Sequence, residues 1–338
     1  MLVIIGFLIA AAFGLSRFRG SSFRWDLFLT TFRSLDLRWL TAAILLILLT
    51  YVGRALRWQV MIKPICPSPS FYNVLVSTVI GFTAIVLFGR PGELVRPYLI
   101  AIKEKVPFSS QVATWVLERI FDLLIVLLIF GFALTQVQSD AANLGPGLQW
   151  MIRTGGYIVG GLCALCLIIL VMLRRFSDTM RRRMLDGLSF LPAKYYARAE
   201  QVVTAFTGGM ESTRNPYFIS QVLFYTVLEW IVIGACNVCL FKAFPATEHF
   251  TVMDNLVFMG FVSFGSAVQI PGVGGGMQVA AVLILTEFFG LSLEVATGLA
   301  ILIWLTTYVT VVPWGLALGL HEGIGWRNLK KLEAEANQ

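Results

Sequence analysis

The sequence predicts an all-α polytopic membrane protein of about eight transmembrane helices, with two Pro/Gly-interrupted segments that could span or re-enter and an internal pseudo-repeat. Three observations carry that expectation. The 338 residues are 57% hydrophobic and 13% charged, with a mean hydropathy of +0.79, too apolar for a soluble domain of this size. Residues 123–139, 154–173, 255–286 and 295–320 carry no charged side chain over about the thickness of a bilayer. The short alternating segments of a membrane β-barrel are absent from the sequence.

In chain order, residues 1–15 read as a retained first span, because they lack the basic start and small-residue cleavage site of a signal peptide. Residues 16–38 follow as an interfacial amphipathic segment. There Phe28, Phe32, Leu35 and Trp39 share one helical stripe, with Arg24 at its edge and Asp26, Arg33 and Arg38 off it. Further spans are expected at about 39–62, 71–88, within 107–136, at 154–173 and at 218–241. Residues 252–289 offer two apolar arms around a Pro/Gly break, and 295–320 closes the set. Residues 1–322 thus form a single transmembrane domain, with a basic cytoplasmic loop at 174–217 and a short cytoplasmic tail at 323–338.

Basic residues orient such a chain, since loops rich in Lys and Arg stay cytoplasmic. Arg174, Arg175, Arg181, Arg182, Arg183, Lys194, Arg198 and Arg214 put the 174–217 loop inside, whereas 135–153 holds only Asp140 and Arg153. Counting spans both ways leaves the N-terminus outside and the C-terminus in the cytoplasm of a cell (inner or plasma) membrane protein. The net charge of +7 sits in loops between apolar spans, where anionic headgroups are nearer partners than nucleic acid. The partners expected are therefore membrane lipids, anionic ones first. A second copy of the chain or a neighbouring membrane enzyme is the other class that such a protein admits.

No cofactor or metal is expected. The C-x-x-C pairs Cys163/Cys166 and Cys236/Cys239 lie in apolar spans with no His, acidic or basic residue in the adjoining turn, which points to packing.

The residues that carry chemistry are ionisable groups interrupting apolar sequence. Unpaired at mid-membrane, Glu118, Arg119 and Asp122 together would cost about 8–10 kcal/mol, so they must be paired, shallow or in a wet cavity. Glu118 and Asp122 are i and i+4, on one helical face, and Arg54, Arg57, Arg90 and Arg96 are their candidate partners. In 89–97, Pro91 and Pro97 disrupt continuous helix, and Arg90, Glu93 and Arg96 recur every third residue. A second, uncharged break holds Pro271, Gly272, Gly274, Gly275 and Gly276, followed by Gln278, and its free N–H groups could receive an anion. The breaks resemble each other: Gly81-Phe82 precedes Pro91-Gly92 much as Gly260-Phe261 precedes Pro271-Gly272. Paired interrupted segments of this kind point to a duplicated, transporter-like architecture with its site between the halves.

Arg54-Ala55-Leu56-Arg57-Trp58, then Gly89-Arg90-Pro91-Gly92-Glu93 to Arg96-Pro97, then Glu118-Arg119-Ile120-Phe121-Asp122, then Pro271-Gly272 with its glycines resemble the flippase-like family of bacterial and archaeal membrane proteins. That family includes the transmembrane flippase half of lysylphosphatidylglycerol synthase. The resemblance covers nearly the whole chain and implies a bundle with interrupted helices and a role in lipid translocation. Where the family pattern carries an Arg-Glu pair after the last glycine break, this chain has Met277 and Gln278, which removes a carboxylate from the implied site. The chain ends soon after its last span, so lysine transfer is not expected of it.

The leading function is therefore translocation or binding of an anionic lipid: a phospholipid, or a polyprenyl-linked or hopanoid-type lipid. Arg54, Arg57, Arg90, Arg96 and Arg119 would meet its phosphate, Glu93, Glu118 and Asp122 would hold them, and Pro271, Gly272, Gly275 and Gln278 would complete the site. Five arginines against three acids give the cluster +2. An intramembrane lipid-modifying enzyme is the second reading, but the two histidines, His249 and His321, are remote in sequence from the cluster and no catalytic constellation emerges. A scaffold or accessory subunit of a lipid or glycosyl transferase is the third.

Overall fold

The computed structural model describes residues 23–139, 146–174, 185–187, 192–209, 215–265, 269–270 and 274–322. Among these the chain forms twelve α-helices: α1 Trp25–Arg33, α2 Leu37–Ile62, α3 Phe71–Phe88, α4 Val95–Lys103, α5 Phe108–Ser139, α6 Pro146–Arg174, α7 Ala193–Gly209, α8 Pro216–Ala243, α9 Val252–Gly265, α10 Gly276–Glu287, α11 Leu293–Thr307 and α12 Val312–His321. Among the described residues four helical stretches are long and apolar enough to cross a membrane: Leu37–Ile62, Phe71–Phe88, Pro216–Ala243 and Leu293–His321. The expected first span at 1–15, most of the basic loop, Pro271, Gly272 and the 323–338 tail lie outside the described residues.

Short polar side chains start the long helices. Asp36 accepts from the Arg38 N–H at 2.8 Å ahead of α2, and Asn215 accepts from the Tyr217 N–H at 2.9 Å ahead of α8, where Pro216 occupies the first helical position. These two helices form the antiparallel spine. The Asp36 N–H at the start of α2 donates to the Ala243 carbonyl at the end of α8 at 3.0 Å, and the Cys236 thiol meets the Ala43 carbonyl at 3.5 Å. Cys236 and Cys239 are buried free thiols in this packing.

Each half of the spine carries a helical hairpin. The first descends as α3, passes Gly89 at φ 70°, turns through a 3-10 segment, Arg90–Leu94, and returns as α4. Its two ends meet, because Glu104 accepts from the Ser70 N–H at 3.2 Å and from Asn73 Nδ2 at 2.8 Å. The arms cross so closely that a Cβ on Gly81 would sit 2.5 Å from the Arg96 Cβ, which is what demands glycine there. The second hairpin runs down α9, through an antiparallel two-residue ladder, Gln269 opposite Gly275 and Ile270 opposite Gly274, and back along α10. The Phe250 and Phe289 rings, before α9 and after α10, lie 4.7 Å apart and close its open end.

The first hairpin opens beside the C-terminal end of α2, where Cys66 meets Glu104 at 3.8 Å, and the second opens beside the C-terminal end of α8, where Phe241 meets Phe250 edge to face at 5.3 Å. Because α2 and α8 are antiparallel, the hairpins open at opposite ends of the bundle and their tips point toward one another.

The closing span expected at 295–320 is present as Leu293–His321, with a 3-10 turn at Val309–Val311 inside it, because Pro313 at the start of α12 has no N–H to continue the α-helical ladder. α12 then packs on α3, with Thr83 donating to the Val311 carbonyl at 3.3 Å, and its end is pinned by Lys103–Glu322 at 2.6 Å. One expectation is corrected: the stripe Phe28, Phe32, Leu35, Trp39 is not one helix. α1 ends at Arg33; Phe32 turns inward against Phe244 at 6.3 Å, and Trp39 is exposed on α2.

Candidate functional site

α2 and α8 meet α5 at a buried ion network. Glu118 and Asp122 on α5 present their shared face to α2, and the planar guanidinium of Arg57 forks between them. Its Nη2 lies 2.6 Å from Glu118 Oε1, and its Nη1 lies 2.6 Å from Asp122 Oδ1 and 3.2 Å from the Thr226 hydroxyl. Arg57 and Glu118 are both fully excluded from solvent. Arg96, from the returning arm of the first hairpin, pairs with the other oxygen of Glu118 and stacks over Trp58, its carbon Cζ 4.0 Å from the ring centroid. Trp58 is fixed in turn by donating to Gln111 at 3.0 Å.

Glu229 of α8 completes the network and was missed in the sequence reading. It bridges Arg54 Nε at 2.9 Å and Arg57 Nη1 at 3.3 Å, with its side chain 3% exposed. The signal was available: Glu229 interrupts an apolar span just as Glu118 does. Its inclusion changes the charge count, since Arg54, Arg57, Arg90, Arg96 and Arg119 now face Glu93, Glu118, Asp122 and Glu229. The cluster carries a formal +1 rather than +2.

A cavity of about 430 Å³ lies between the two hairpins. Arg54, Arg90, Glu93, Arg119, Asp122 and Glu229 line it at one region, and Phe82 and Ile85 come from the first hairpin. Phe258, Met259, Val262 and Met277 of the second hairpin and Ile303 of α11 give it an apolar wall. Arg119 contacts Glu118 at 3.4 Å and Asp122 at 3.5 Å, both long, and its Nε is buried with no hydrogen-bond partner among the described residues. Arg90 pairs with Glu93 at 2.6 Å at the hairpin tip.

The structure thus divides the predicted site residues. Arg54, Arg90, Glu93, Arg119 and Asp122 line the cavity; Arg57, Arg96 and Glu118 stand behind it as struts. Gly275 and Gln278 do not line it: the Gln278 side chain accepts from the Gly275 N–H at 2.7 Å and fixes the start of α10, half of a capping box. Met277, standing where the family pattern has a charge, is part of the cavity wall.

A sequence model described as the lysylphosphatidylglycerol synthase TM region matches residues 3–315. The chain belongs to that family. No curated protein and no solved structure matches it. As a member of the lysylphosphatidylglycerol synthase TM region family it is a multi-pass membrane protein, and the match ends before the last residues of α12.

Proposed function

We propose that the chain binds an anionic amphiphile in the cavity between the hairpins and translocates it across a cell membrane, the headgroup at the arginine-lined region and the tail along the apolar wall. The cavity itself carries this reading. Its volume is within the roughly 300–1,000 Å³ range of ligand pockets, enough for a headgroup and the start of a chain, so a two-chain lipid keeps part of its tails outside. The three arginines and three carboxylates of the lining balance, and the Arg57, Arg96 and Glu118 struts behind them leave the cluster one formal positive charge in excess, which suits one formal negative charge on the guest. Among the described residues Arg119 has only long contacts and Trp230 Nε1, in the same wall, has no partner; both are donors such a headgroup would engage.

On this reading the two hairpins are inverted, membrane re-entrant repeats in a bundle of about eight crossings, with the N-terminus outside and the C-terminus in the cytoplasm. Broken helices are tolerated at membrane depth where they line a cavity, which both hairpins do. The Arg57–Glu118–Arg96 struts keep the arginine-lined region in place while the guest comes and goes.

Lipid co-purified with the protein tests the binding half. Wild-type protein in mild detergent should retain anionic lipid above its share of the host membrane by mass spectrometry, and Arg54→Ala/Arg119→Ala protein should return to that share. Retention of the bulk mixture by both proteins contradicts the reading.

A further inference from the structure

We infer that Tyr308, at the break between α11 and α12, is a further residue that binds the headgroup, its phenol O–H donating to a phosphoryl oxygen of the guest. The inference rests on the reading above, that the cavity takes an anionic amphiphile.

The helix break sets the position of this side chain. α11 keeps its helical bonding as far as Tyr308, whose N–H donates to the Trp304 carbonyl at 2.9 Å, and the chain then tightens into the Val309–Val311 turn. Tyr308 is the last residue before that turn and stands half-buried in the cavity wall. The charges that act most strongly on its phenol are those of Arg54, Arg119, Arg90 and Glu93, all of them wall residues, which puts the hydroxyl at the arginine-lined region rather than the apolar wall. That hydroxyl has no hydrogen-bond partner among the described residues, yet it is not one of the sealed polar atoms, so its free surface opens on the cavity. The other hydroxyls of the wall are committed to backbone carbonyls. Tyr51 donates to Thr307 at 3.2 Å, Thr50 to Ile47 at 2.6 Å, Thr307 to Ile303 at 2.6 Å and Ser263 to Met259 at 2.7 Å.

A phenol suits this place for two reasons. It donates a hydrogen bond without carrying charge, so it adds a contact to the headgroup and leaves the three arginines and three carboxylates of the lining in balance. Its reach is also selective, because a hydrogen bond to an ionised oxygen is about twice as strong as one to a neutral acceptor. A phosphoryl oxygen held by the neighbouring guanidiniums therefore gains from the phenol, and a head without an acceptor gains nothing. A hydroxyl with open surface and no partner contributes little to the fold of the empty protein, so removing it should touch binding and leave stability alone.

Isothermal titration of the purified full-length protein with hexadecyl phosphate, in a nonionic detergent, tests the inference. Tyr308→Phe keeps the ring and deletes the donor. It should bind about tenfold more weakly than wild type, the yield of one hydrogen bond to a charged group, and its melting temperature should not fall below wild type. Two results overturn the inference: wild-type affinity in Tyr308→Phe, or a melting temperature lowered by the substitution, which would mean that the hydroxyl is bound within the protein. If Tyr308→Phe binds as wild type does and Arg119→Ala binds more weakly, the arginine-lined site stands and only the Tyr308 contact falls. If hexadecyl phosphate does not bind wild type, the anionic-amphiphile reading falls and this inference falls with it.

Discussion

Replacing Arg57 by leucine separates the struts of the charged cluster from its wall. Arg57 is fully buried and, among the described residues, is the one cation that touches Glu118, Asp122 and Glu229 together, at 2.6, 2.6 and 3.3 Å. Leucine fills much of the volume but leaves three carboxylates on two helices facing a space without its counter-charge. Breaking a buried pair by removing one partner costs about 3–5 kcal/mol; three acids lose the cation they share, although Arg96, Arg119 and Arg54 still reach Glu118, Asp122 and Glu229, so the loss should fall within that range. Arg119 is the internal control. Its side chain is 40% exposed and its ion pairs are 3.4 and 3.5 Å long, so truncation should cost no more than the roughly 1 kcal/mol typical of screened pairs. Thermal unfolding in detergent, followed by loss of the monodisperse size-exclusion peak, measures both. Arg57→Leu should lower the midpoint by many degrees and Arg119→Ala by little. If Arg57→Leu unfolds within a degree or two of wild type, the network is not a set of struts and the division of the site is wrong.

Further outcomes follow from the same geometry. Gly81→Ala drives a Cβ into Arg96 and should destabilise the first hairpin by about 1–3 kcal/mol, read as a lower unfolding midpoint. Arg96→Lys keeps the charge but loses the stacked guanidinium over Trp58, so it should be less stable than wild type in the same assay. The loop thiol Cys66 is held above the usual thiol range, first by burial and then by the Glu104 charge. Its thiolate is accordingly scarce near neutral pH, maleimide labelling should accelerate as pH rises, and Glu104→Gln should speed labelling at pH 7.5. An impermeant maleimide should reach Cys66 and a cysteine placed at exposed Ser292 from opposite faces of sealed vesicles, because the two hairpins open at opposite ends. Labelling of both from the same face contradicts the inverted arrangement.

Much of this fold was written in composition. Apolar runs bounded by Asp36, Ser70, Asn215 and Ser292 mark helix starts within a residue or two of those observed, since the bilayer demands uncharged length and caps demand short polar side chains. The hairpins were legible as Pro/Gly breaks but not as hairpins, because whether an arm returns depends on contacts such as Glu104 with Ser70 and Phe250 with Phe289, far apart in sequence. The i,i+4 pair Glu118/Asp122 announced a cation without naming it. Arg57 was one of four candidates, and only the antiparallel docking of α2 on α8 selects it. Glu229 escaped notice although it breaks an apolar span.

Translocation is the central claim, and liposomes test it directly. Protein reconstituted with a fluorescent anionic lipid is exposed to dithionite, which quenches only the outer leaflet. The account predicts that wild-type vesicles quench past the one-half limit of protein-free vesicles, while vesicles carrying a folded Arg54→Ala/Arg119→Ala protein stop near it. Equal quenching by wild type and variant would contradict the assignment of the arginine-lined cavity, and quenching that halts at one-half with wild-type protein across anionic lipid classes would contradict translocation itself.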